Sequence, residues 1–282
     1  MILEKAKDFD IEDILECGQC FRFKKLGEKH YAIIAHGRLL FVEQNDTEVK
    51  LNCSDEDFDN IWSSYFDLGR DYGGIKDILS QDDEVLAEAI NFAPGIRLLN
   101  QDPYECLISF IISQNNRIPM IKKVIENLST AYGDLIESDY YSFPDSNRLN
   151  LYSIEELMAH KMGFRAKYIK DALAKIESKD IIIEDIFQLD TIQARKKLMT
   201  IYGVGQKVAD CVLLMSFKKY DVFPTDVWVK RVMEYFYFDG KTVSMGAIQE
   251  FAKGQWGELS GFAQQYLFHY ARVNQDVSKI IK

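Results

Sequence analysis

Residues 20–52 alternate between hydrophobic and polar side chains in short runs separated by turn residues. The runs are CFRFKKL, YAIIAH, RLLFVEQ and EVKLN, with turns at LGEK, HG and NDT. Aromatic and β-branched residues are common in these runs, as they are in β-strands, and the turns are short enough for hairpins. The pattern therefore predicts an antiparallel sheet near the N-terminus.

From Ser54 onward the hydrophobic residues recur at helical spacing. Asp102 and Pro103 have the order of a helix cap and a first-turn proline, and Ser153 with Glu156 forms a capping box. The predicted helices include SDEDFDNIWSSYF, DDEVLAEAINFA, YECLISFIISQNN, ELMAHKMG, RAKYIKDALAKIES, TIQARKKLMTI, VGQKVADCVLLMSF, DVWVKRVMEYFYF and GFAQQYLFHYARV. The fold class is α+β, with a sheet domain and flanking helices over residues 1–100 and a mostly helical body over residues 101–282.

Composition narrows the class of protein without identifying it. The chain has 282 residues, of which 47% are hydrophobic and 28% charged, as in ordinary globular proteins. No apolar run approaches the roughly 20 residues that a membrane helix needs, and the first residues are too acidic for a secretory signal or a transit peptide. Five scattered cysteines predict a reducing, cytoplasmic location without a disulfide framework, and the pair Cys17 and Cys20 lacks the second pair typical of zinc sites.

The net charge of −10 is unevenly distributed along the chain. Residues 1–110 contain 11 Lys and Arg against 23 Asp and Glu, whereas the remaining residues are slightly basic. A locally basic face binds phosphates even when the whole chain is acidic. The charge therefore makes nucleic-acid binding less expected without excluding it.

The stretch IYGVGQKVADC has the form of a tight turn between two helices. Gly203 and Gly205 permit close backbone approach, and the amide groups of the following helix N-terminus form a phosphate-binding site. Lys207, Cys211 and Met215 are spaced so that they share one helix face. A plain helical hairpin with a core stripe explains the same pattern, so the stretch alone leaves both interpretations open.

Asp226 follows in FPTDVWVKRV, at a position suited to capping the next helix. A carboxylate at a cap is structural more often than catalytic. Neither Lys207 nor Asp226 alone indicates a catalytic function, but their occurrence together does.

Together these residues resemble the helix-hairpin-helix glycosylase superfamily, and the detail resembles a bacterial member of the 8-oxoguanine DNA glycosylases. The hairpin has that family's form G-V-G-x-K-V-A-D-C. Similar elements occur in order along nearly the whole chain: ECGQCFRF, CLISFIISQNN, MGFRAKYI and GFAQQYLF. The spacing of Lys207 and Asp226 is similar to that of the bifunctional members.

The resemblance implies a bifunctional enzyme that excises 8-oxoguanine from duplex DNA and then cleaves the abasic site. Such an enzyme flips the base out of the duplex into a pocket. Lys207, as a free amine, would attack the sugar C1′ and form a Schiff base that permits β-elimination. Asp226 would stabilise the positive charge that develops on the sugar.

The resemblance also assigns the remaining site residues. The base-binding residues are Gly18, Cys211, Met215, Pro224, Gln264 and Phe268. The DNA-binding residues are Asn115, Met120, Phe164, Arg165, Gly203 and Gly205. Met120 departs from the family pattern, because the eukaryotic members usually have an arginine at this position. The backbone carbonyls of Met199, Ile201 and Val204 are assigned to a structural monovalent or divalent cation at the hairpin.

No cofactor is expected to be required, and the expected partner is duplex DNA containing 8-oxoguanine. We further expect a monomer that does not bind membranes and that lies in the cytoplasm, on the nucleoid if the source is bacterial. The alternatives are a superfamily glycosylase for other damaged bases and a non-catalytic hairpin module. A binding module needs neither Lys207 nor Asp226, which argues against the second alternative.

Overall fold

The computed structural model describes residues 1–4 and 7–281, and it places a five-stranded antiparallel sheet at the N-terminus. The strands are β1 (Ile2–Glu4), β2 (Phe23–Gly27), β3 (His30–Ala35), β4 (Arg38–Gln44) and β5 (Glu48–Asn52). Their spatial order is β1-β5-β4-β3-β2. The four predicted strands are confirmed, and β1 is an edge strand that the hydrophobic pattern did not reveal.

Strand β2 begins at Phe23 rather than at Cys20, because the preceding segment is held in a loop by the buried side chain of Gln19. The Gln19 amide donates hydrogen bonds to the carbonyls of Ile14 (2.9 Å) and Arg97 (2.7 Å). Its oxygen accepts one from the backbone N–H of Leu99 at 2.8 Å. A buried amide with this many partners fixes the loop that contains Gly18.

Helices form most of the remaining chain. They are α1 (Ile11–Glu16), α2 (Asp55–Asp57), α3 (Ser63–Tyr65), α4 (Tyr72–Ser80), α5 (Glu84–Phe92), α6 (Pro103–Ser113), α7 (Ile118–Tyr132), α8 (Ser146–Asn150), α9 (Ile154–Leu157), α10 (Arg165–Glu177), α11 (Ile183–Ile186), α12 (Thr191–Leu198), α13 (Gln206–Ser216), α14 (Val227–Val232), α15 (Met245–Trp256), α16 (Ser260–Val273) and α17 (Gln275–Ile280). Short π-helical turns extend three of them, and a small hairpin of β6 (Leu135–Glu137) and β7 (Tyr140–Tyr141) follows α7. The α+β fold class is confirmed.

Both predicted helix starts have the expected caps. The Asp102 carboxylate accepts a hydrogen bond of 2.8 Å from the backbone N–H of Glu105, and Pro103 occupies the first turn. Ser153 and Glu156 form the reciprocal capping box. These signals involve residues three positions apart, which explains why the sequence alone reveals them.

The hydrophobic residues form two cores. The smaller core lies between the sheet and the α1 to α3 region, and the larger core lies within the helical body. Helices α4 and α5 pack into the larger core through Tyr72, Leu79 and Leu86, although they precede residue 100. The division of the chain at residue 100 stays a prediction.

Candidate active site

The hairpin turn lies between α12 and α13 and depends on Gly203. Its φ of +81° lies in the left-handed region, and a side chain there would overlap the ring of Tyr168. Gly205 has an ordinary φ of −93° and caps α13 with open space around it. Gly203 therefore closes the turn, and Gly205 leaves the first amides of α13 accessible.

Lys207 lies in the first turn of α13 and is only partly buried. Its Nζ is 5.4 Å from the ring centroid of Phe110 on α6. Cys211 and Met215 follow on the same helix and are buried. The predicted helix face is therefore a core stripe that ends in an accessible amine.

The Cys211 thiol lies within electrostatic reach of both predicted catalytic groups. Burial raises the pKa of this thiol to about 11; the charge of Lys207 opposes that shift and the charge of Asp226 adds to it. A thiol with this pKa is neutral at physiological pH. Cys211 thus provides a neutral, polarisable surface next to Lys207.

Asp226 caps α14 by accepting a hydrogen bond of 2.9 Å from the backbone N–H of Val229. The segment leading to it is buried, and Gln249 on α15 donates to the carbonyl of Phe223 at 2.7 Å and to the hydroxyl of Thr225 at 3.1 Å. A carboxylate at a helix N-terminus is stabilised by the helix dipole. The cap therefore holds one oxygen of Asp226 in place while the side chain faces a cleft.

Lys207 and Asp226 line a single cleft of about 760 Å³. Asn115, Met120 and Gly205 line the same cleft. Its remaining lining residues are Ser113, Gln114, Asn116, Arg117, Val208, Val227 and Trp228. The fold thus brings two segments that are far apart in sequence, after α6 and around α13 and α14, to the lining of one cleft.

The predicted base-binding residues are not among the residues that line this cleft. Gly18 has a φ of +86°, and a Cβ on it would lie 2.9 Å from Cε1 of Phe268. Gln264, one helical turn before Phe268 on α16, is 5% exposed, and its Oε1 has no hydrogen-bond partner among the described residues. Cys211, Met215 and Pro224 are also buried. A buried amide oxygen without a partner is costly, and it is free to accept a hydrogen bond from a ligand.

Asn115 and Arg165 form one structural unit. Asn115 is exposed and has a φ of +49°, which is uncommon for a residue other than glycine. The guanidinium of Arg165 donates hydrogen bonds to the carbonyls of Gln114 (2.7 Å), Asn115 (2.8 Å) and Met162 (3.4 Å). Arg165 is only 9% exposed, so in this structure its donors hold the turn.

Phe164 is 46% exposed, and its ring packs edge-on against Tyr168 at 5.5 Å. Met120 lies in the first turn of α7 and is exposed. This helix was not predicted from the sequence, although Pro119 at its start is a usual signal of a helix N-terminus.

The predicted cation ligands lie in the hairpin turn. The carbonyl of Ile201 accepts a hydrogen bond of 3.0 Å from the backbone N–H of Val204. Within residues 1–4 and 7–281, the carbonyls of Met199 and Val204 accept no hydrogen bond. Carbonyl oxygens that accept no hydrogen bond are suitable ligands for a hard cation.

Sequence analysis missed two residues next to this site. Arg272 lies with its guanidinium carbon 5.2 Å from the Phe268 ring centroid, and Tyr168 packs against the hairpin glycine. Each follows a predicted site residue by four positions on a helix, Phe268 and Phe164 respectively. That spacing was the available signal, because such residues share a helix face.

Among the described residues, no cluster of His, Cys, Asp and Glu side chains has the arrangement of a metal site. In the same residues no helix is both long and apolar enough to cross a membrane.

Two family descriptions match the chain. Residues 1–107 match "8-oxoguanine DNA glycosylase, N-terminal domain", and residues 108–257 match "HhH-GPD superfamily base excision DNA repair protein". The matched ranges correspond to the sheet region and the helical body, and together they cover most of the chain.

Known proteins are similar over much of their length. A solved structure of Clostridium acetobutylicum 8-oxoguanine glycosylase/lyase, in complex with DNA containing cytosine opposite 8-oxoguanine, is 43% identical, with a TM-score of 0.92 over 97% of this chain and 98% of that one. A probable N-glycosylase/DNA lyase of Methanothermobacter thermautotrophicus is 32% identical, covering 68% of each protein. The N-glycosylase/DNA lyase OGG1 of Arabidopsis thaliana is 30% identical over 89% of this chain and 74% of that protein.

Proposed function

The chain belongs to the HhH-GPD superfamily of base excision DNA repair proteins, and from this we infer that it is a bifunctional DNA glycosylase and abasic-site lyase that excises 8-oxoguanine from duplex DNA. The relatives named N-glycosylase/DNA lyase and the similar 8-oxoguanine glycosylase/lyase support both activities. The observation that carries the assignment is that Lys207 and Asp226 line one cleft.

Lys207 is the proposed nucleophile. Its amine forms a bond to C1′ of the flipped nucleotide while the bond from C1′ to the base breaks and the base departs with the electron pair. Opening of the sugar ring then gives a Schiff base between Lys207 and C1′. Loss of a proton from C2′ expels the 3′ phosphate and cleaves the strand.

Asp226 is the proposed electrostatic partner. Positive charge develops on the sugar as the base departs, and a fixed carboxylate nearby stabilises that charge. Because its hydrogen bond with Val229 fixes the carboxylate before the reaction, no reorganisation is required at the transition state.

Gly18, Gln264 and Phe268 are the proposed readers of the base. 8-Oxoguanine carries a proton on N7 that guanine lacks, so the Gly18 carbonyl accepts a hydrogen bond from the lesion only. The unpartnered oxygen of Gln264 accepts one from the Watson–Crick edge. Phe268 stacks on one face of the base, and Cys211, with Met215 and Pro224, contacts the other.

The remaining residues are proposed to hold the duplex. Amides after Gly203 and Gly205 bind a phosphate, and a cation on the carbonyls of Met199, Ile201 and Val204 would orient this turn. Asn115, Met120, Phe164 and Arg165 are proposed to contact the strand opposite the lesion. We propose a monomer that requires no cofactor for catalysis and acts on DNA in the cytoplasm.

Borohydride trapping tests this function directly. An 8-oxoguanine duplex incubated with enzyme and borohydride should give a covalent complex, because reduction of the Schiff base fixes Lys207 to the sugar. Lys207→Gln should bind the duplex without excision or trapping. Lys253→Gln, which changes an exposed lysine on α15, is the matched control and should trap normally.

Two results would contradict the assignment. Undiminished trapping by Lys207→Gln would place the nucleophile elsewhere. Release of an oxidised pyrimidine but not of 8-oxoguanine by the unmodified enzyme would assign the chain to a different lesion within the same superfamily.

A further inference from the structure

Arg272 links two elements that are distant in sequence. It lies on α16 one turn after Phe268, with its guanidinium carbon 5.2 Å from the centroid of the Phe268 ring. The same guanidinium donates a hydrogen bond to the backbone carbonyl of Glu16, at the end of α1. One side chain therefore holds α16 and the start of the Gly18 loop together.

The contact extends to Gly18 itself. A Cβ on Gly18 would lie 3.3 Å from Nη1 of Arg272 and 2.9 Å from Cε1 of Phe268. Both distances are at or below van der Waals contact, so the three residues are packed without intervening space. We call this set the Gly18–Phe268–Arg272 cluster.

Arg272 has fewer polar partners than a partly buried guanidinium normally has. Its Nε is buried without a hydrogen-bond partner, and no carboxylate of the described residues forms an ion pair with it. Leaving a cation unpaired in a partly buried place is costly for folding. A methionine or leucine would fill the same space against Phe268 at lower cost, so stability alone does not explain an arginine here.

Arg272 does not line the cleft that contains Lys207 and Asp226. It lines a second cavity of about 390 Å³, together with Gly18, Lys122 and His269. Burial lowers the pKa values of Lys122 and His269, and the positive charge of Arg272 makes a smaller contribution in the same direction. The guanidinium therefore lies beside the Phe268 ring and at the wall of this second cavity.

We propose that Arg272 is a positioning residue for base excision that fixes Phe268 relative to Gly18. This inference rests on the proposed function, in which Phe268 stacks on the base and the Gly18 carbonyl reads its N7 proton. A cation against one side of an aromatic ring restrains the ring by a cation–π interaction. The planar guanidinium of Arg272 also restrains the Gly18 loop, because it donates a hydrogen bond to the carbonyl of Glu16.

This proposal separates the two activities of the enzyme. Excision of 8-oxoguanine needs the base-reading pocket, whereas cleavage of a preformed abasic site needs Lys207 but has no base to read. A residue that only supports the fold would affect both reactions. A residue that positions Phe268 against Gly18 affects excision and leaves the lyase reaction on an abasic duplex unchanged.

The test compares Arg272→Met and Arg272→Lys with the unmodified enzyme. Arg70→Met is the matched control. The guanidinium carbon of Arg70 also lies over an aromatic ring, 4.4 Å from the centroid of Tyr220, and Arg70 does not line the cleft. Single-turnover excision of 8-oxoguanine and strand cleavage at a preformed abasic site are measured for each. Inhibition of the second reaction by free 8-oxoguanine base reports binding in the pocket.

Arg272→Met should slow excision by about tenfold or more, the factor expected when a cation–π contact and its hydrogen bond are lost together. Abasic-site cleavage should change by less than about twofold, and inhibition by the free base should weaken in parallel with excision. Arg272→Lys keeps the positive charge but loses the planar guanidinium. Its excision rate should lie between those of the unmodified enzyme and Arg272→Met. Arg70→Met should excise normally.

Equal losses in excision and abasic-site cleavage, or no loss in excision, would overturn the role of Arg272. If Arg272→Met does not fold, the same comparison of excision with abasic-site cleavage is made with Arg272→Lys. A different result, in which the unmodified enzyme itself releases no 8-oxoguanine, would refute the proposed function and this inference with it.

Discussion

The guanidinium of Arg165 donates a hydrogen bond of 2.8 Å to the backbone carbonyl of Asn115. With its further bonds to Gln114 and Met162, this side chain stabilises a turn in which Asn115 has a left-handed backbone. A guanidinium has five N–H donors, and most of those of Arg165 point to carbonyls. Arg165 therefore has little capacity left for reading a base, and Asn115 is the exposed member of the pair.

This arrangement predicts a relaxed preference for the base opposite the lesion. Met120 lines the cleft near Asn115, at a position where the eukaryotic members of the resembling family usually carry an arginine. A thioether offers no donor to cytosine, whereas each good bidentate contact discriminates by about 1–3 kcal/mol. We expect comparable single-turnover excision opposite cytosine, adenine, guanine and thymine, and a partial cytosine preference in Met120→Arg.

Four duplexes that differ only in the opposite base provide the measurement. A rate about a hundredfold higher opposite cytosine, a difference of about 2.7 kcal/mol, would contradict this prediction. It would show that a methionine at position 120 does not weaken the preference for cytosine. Arg165→Lys serves as the control, since a residue that only supports the turn should slow excision similarly on all four duplexes.

Gln264→Met should separate stability from recognition. The unpartnered oxygen of Gln264 makes no hydrogen bond that the fold would lose, so the free energy of unfolding should stay the same or rise. Excision of 8-oxoguanine should fall by about tenfold or more, because the base would lose a hydrogen bond in a buried site. Duplex affinity should change little, since phosphate contacts dominate it.

Thermal unfolding, excision and duplex binding measured on the same variants test this pair of effects. Gln265→Met is the matched control, because Gln265 donates a hydrogen bond of 2.9 Å to the carbonyl of Cys17 and should lose stability instead. A variant of Gln264 that unfolds easily and excises normally would show that the residue is only structural.

The two hairpin glycines should respond differently to alanine. Gly203→Ala requires a left-handed alanine and overlap with the Tyr168 ring, which should cost about 1–3 kcal/mol of stability and distort the phosphate-binding turn. Gly205→Ala meets open space at an ordinary φ and should change stability by no more than about 0.5 kcal/mol. Chemical denaturation of both variants measures the difference, and equal stabilities would contradict the predicted contact with Tyr168.

His269 should make the fold less stable in acid. Burial, with a smaller contribution from the charge of Arg272, lowers the pKa of His269 from 6.5 to about 4. Between these values the unfolded chain binds a proton that the folded protein excludes. Stability from this group is therefore complete above pH 6.5 and is lost as pH falls toward 4, by at most about 1.4 kcal/mol per pH unit.

Asp13 acts in the opposite sense over a similar range, because burial raises the pKa of its carboxyl from 3.8 to about 6. Its contribution is complete below 3.8 and is lost as pH rises through 6, so it opposes the effect of His269 in this window. His269→Phe removes one of the two effects. Relative to the unmodified protein it should gain roughly 2 kcal/mol between pH 7.5 and 5 in denaturant titrations; an unchanged difference would mean that His269 is protonated in the fold.

Much of the helical body was determined by the sequence, because its signals are local. The caps at Asp102 and Ser153, the glycine turn and the helix faces each depend on residues within one or two turns, and these predictions are confirmed. Helix α4 was not predicted, since Gly73 and Gly74 in its first turn weaken its propensity and only packing of its apolar face against the larger core stabilises it.

The site was determined only in part by the sequence. Hairpin spacing and motif identify Lys207 and Asp226, but their meeting in one cleft with Asn115 and Met120 depends on how α6, α13 and α14 pack. The same is true of Gly18 and Phe268, which come into contact from opposite ends of the chain. Such contacts are decided by the burial of whole helices and sheets, an energy summed over many residues. No short stretch of sequence determines this burial energy. The partial burial of the Arg272 guanidinium therefore follows only from the folded structure.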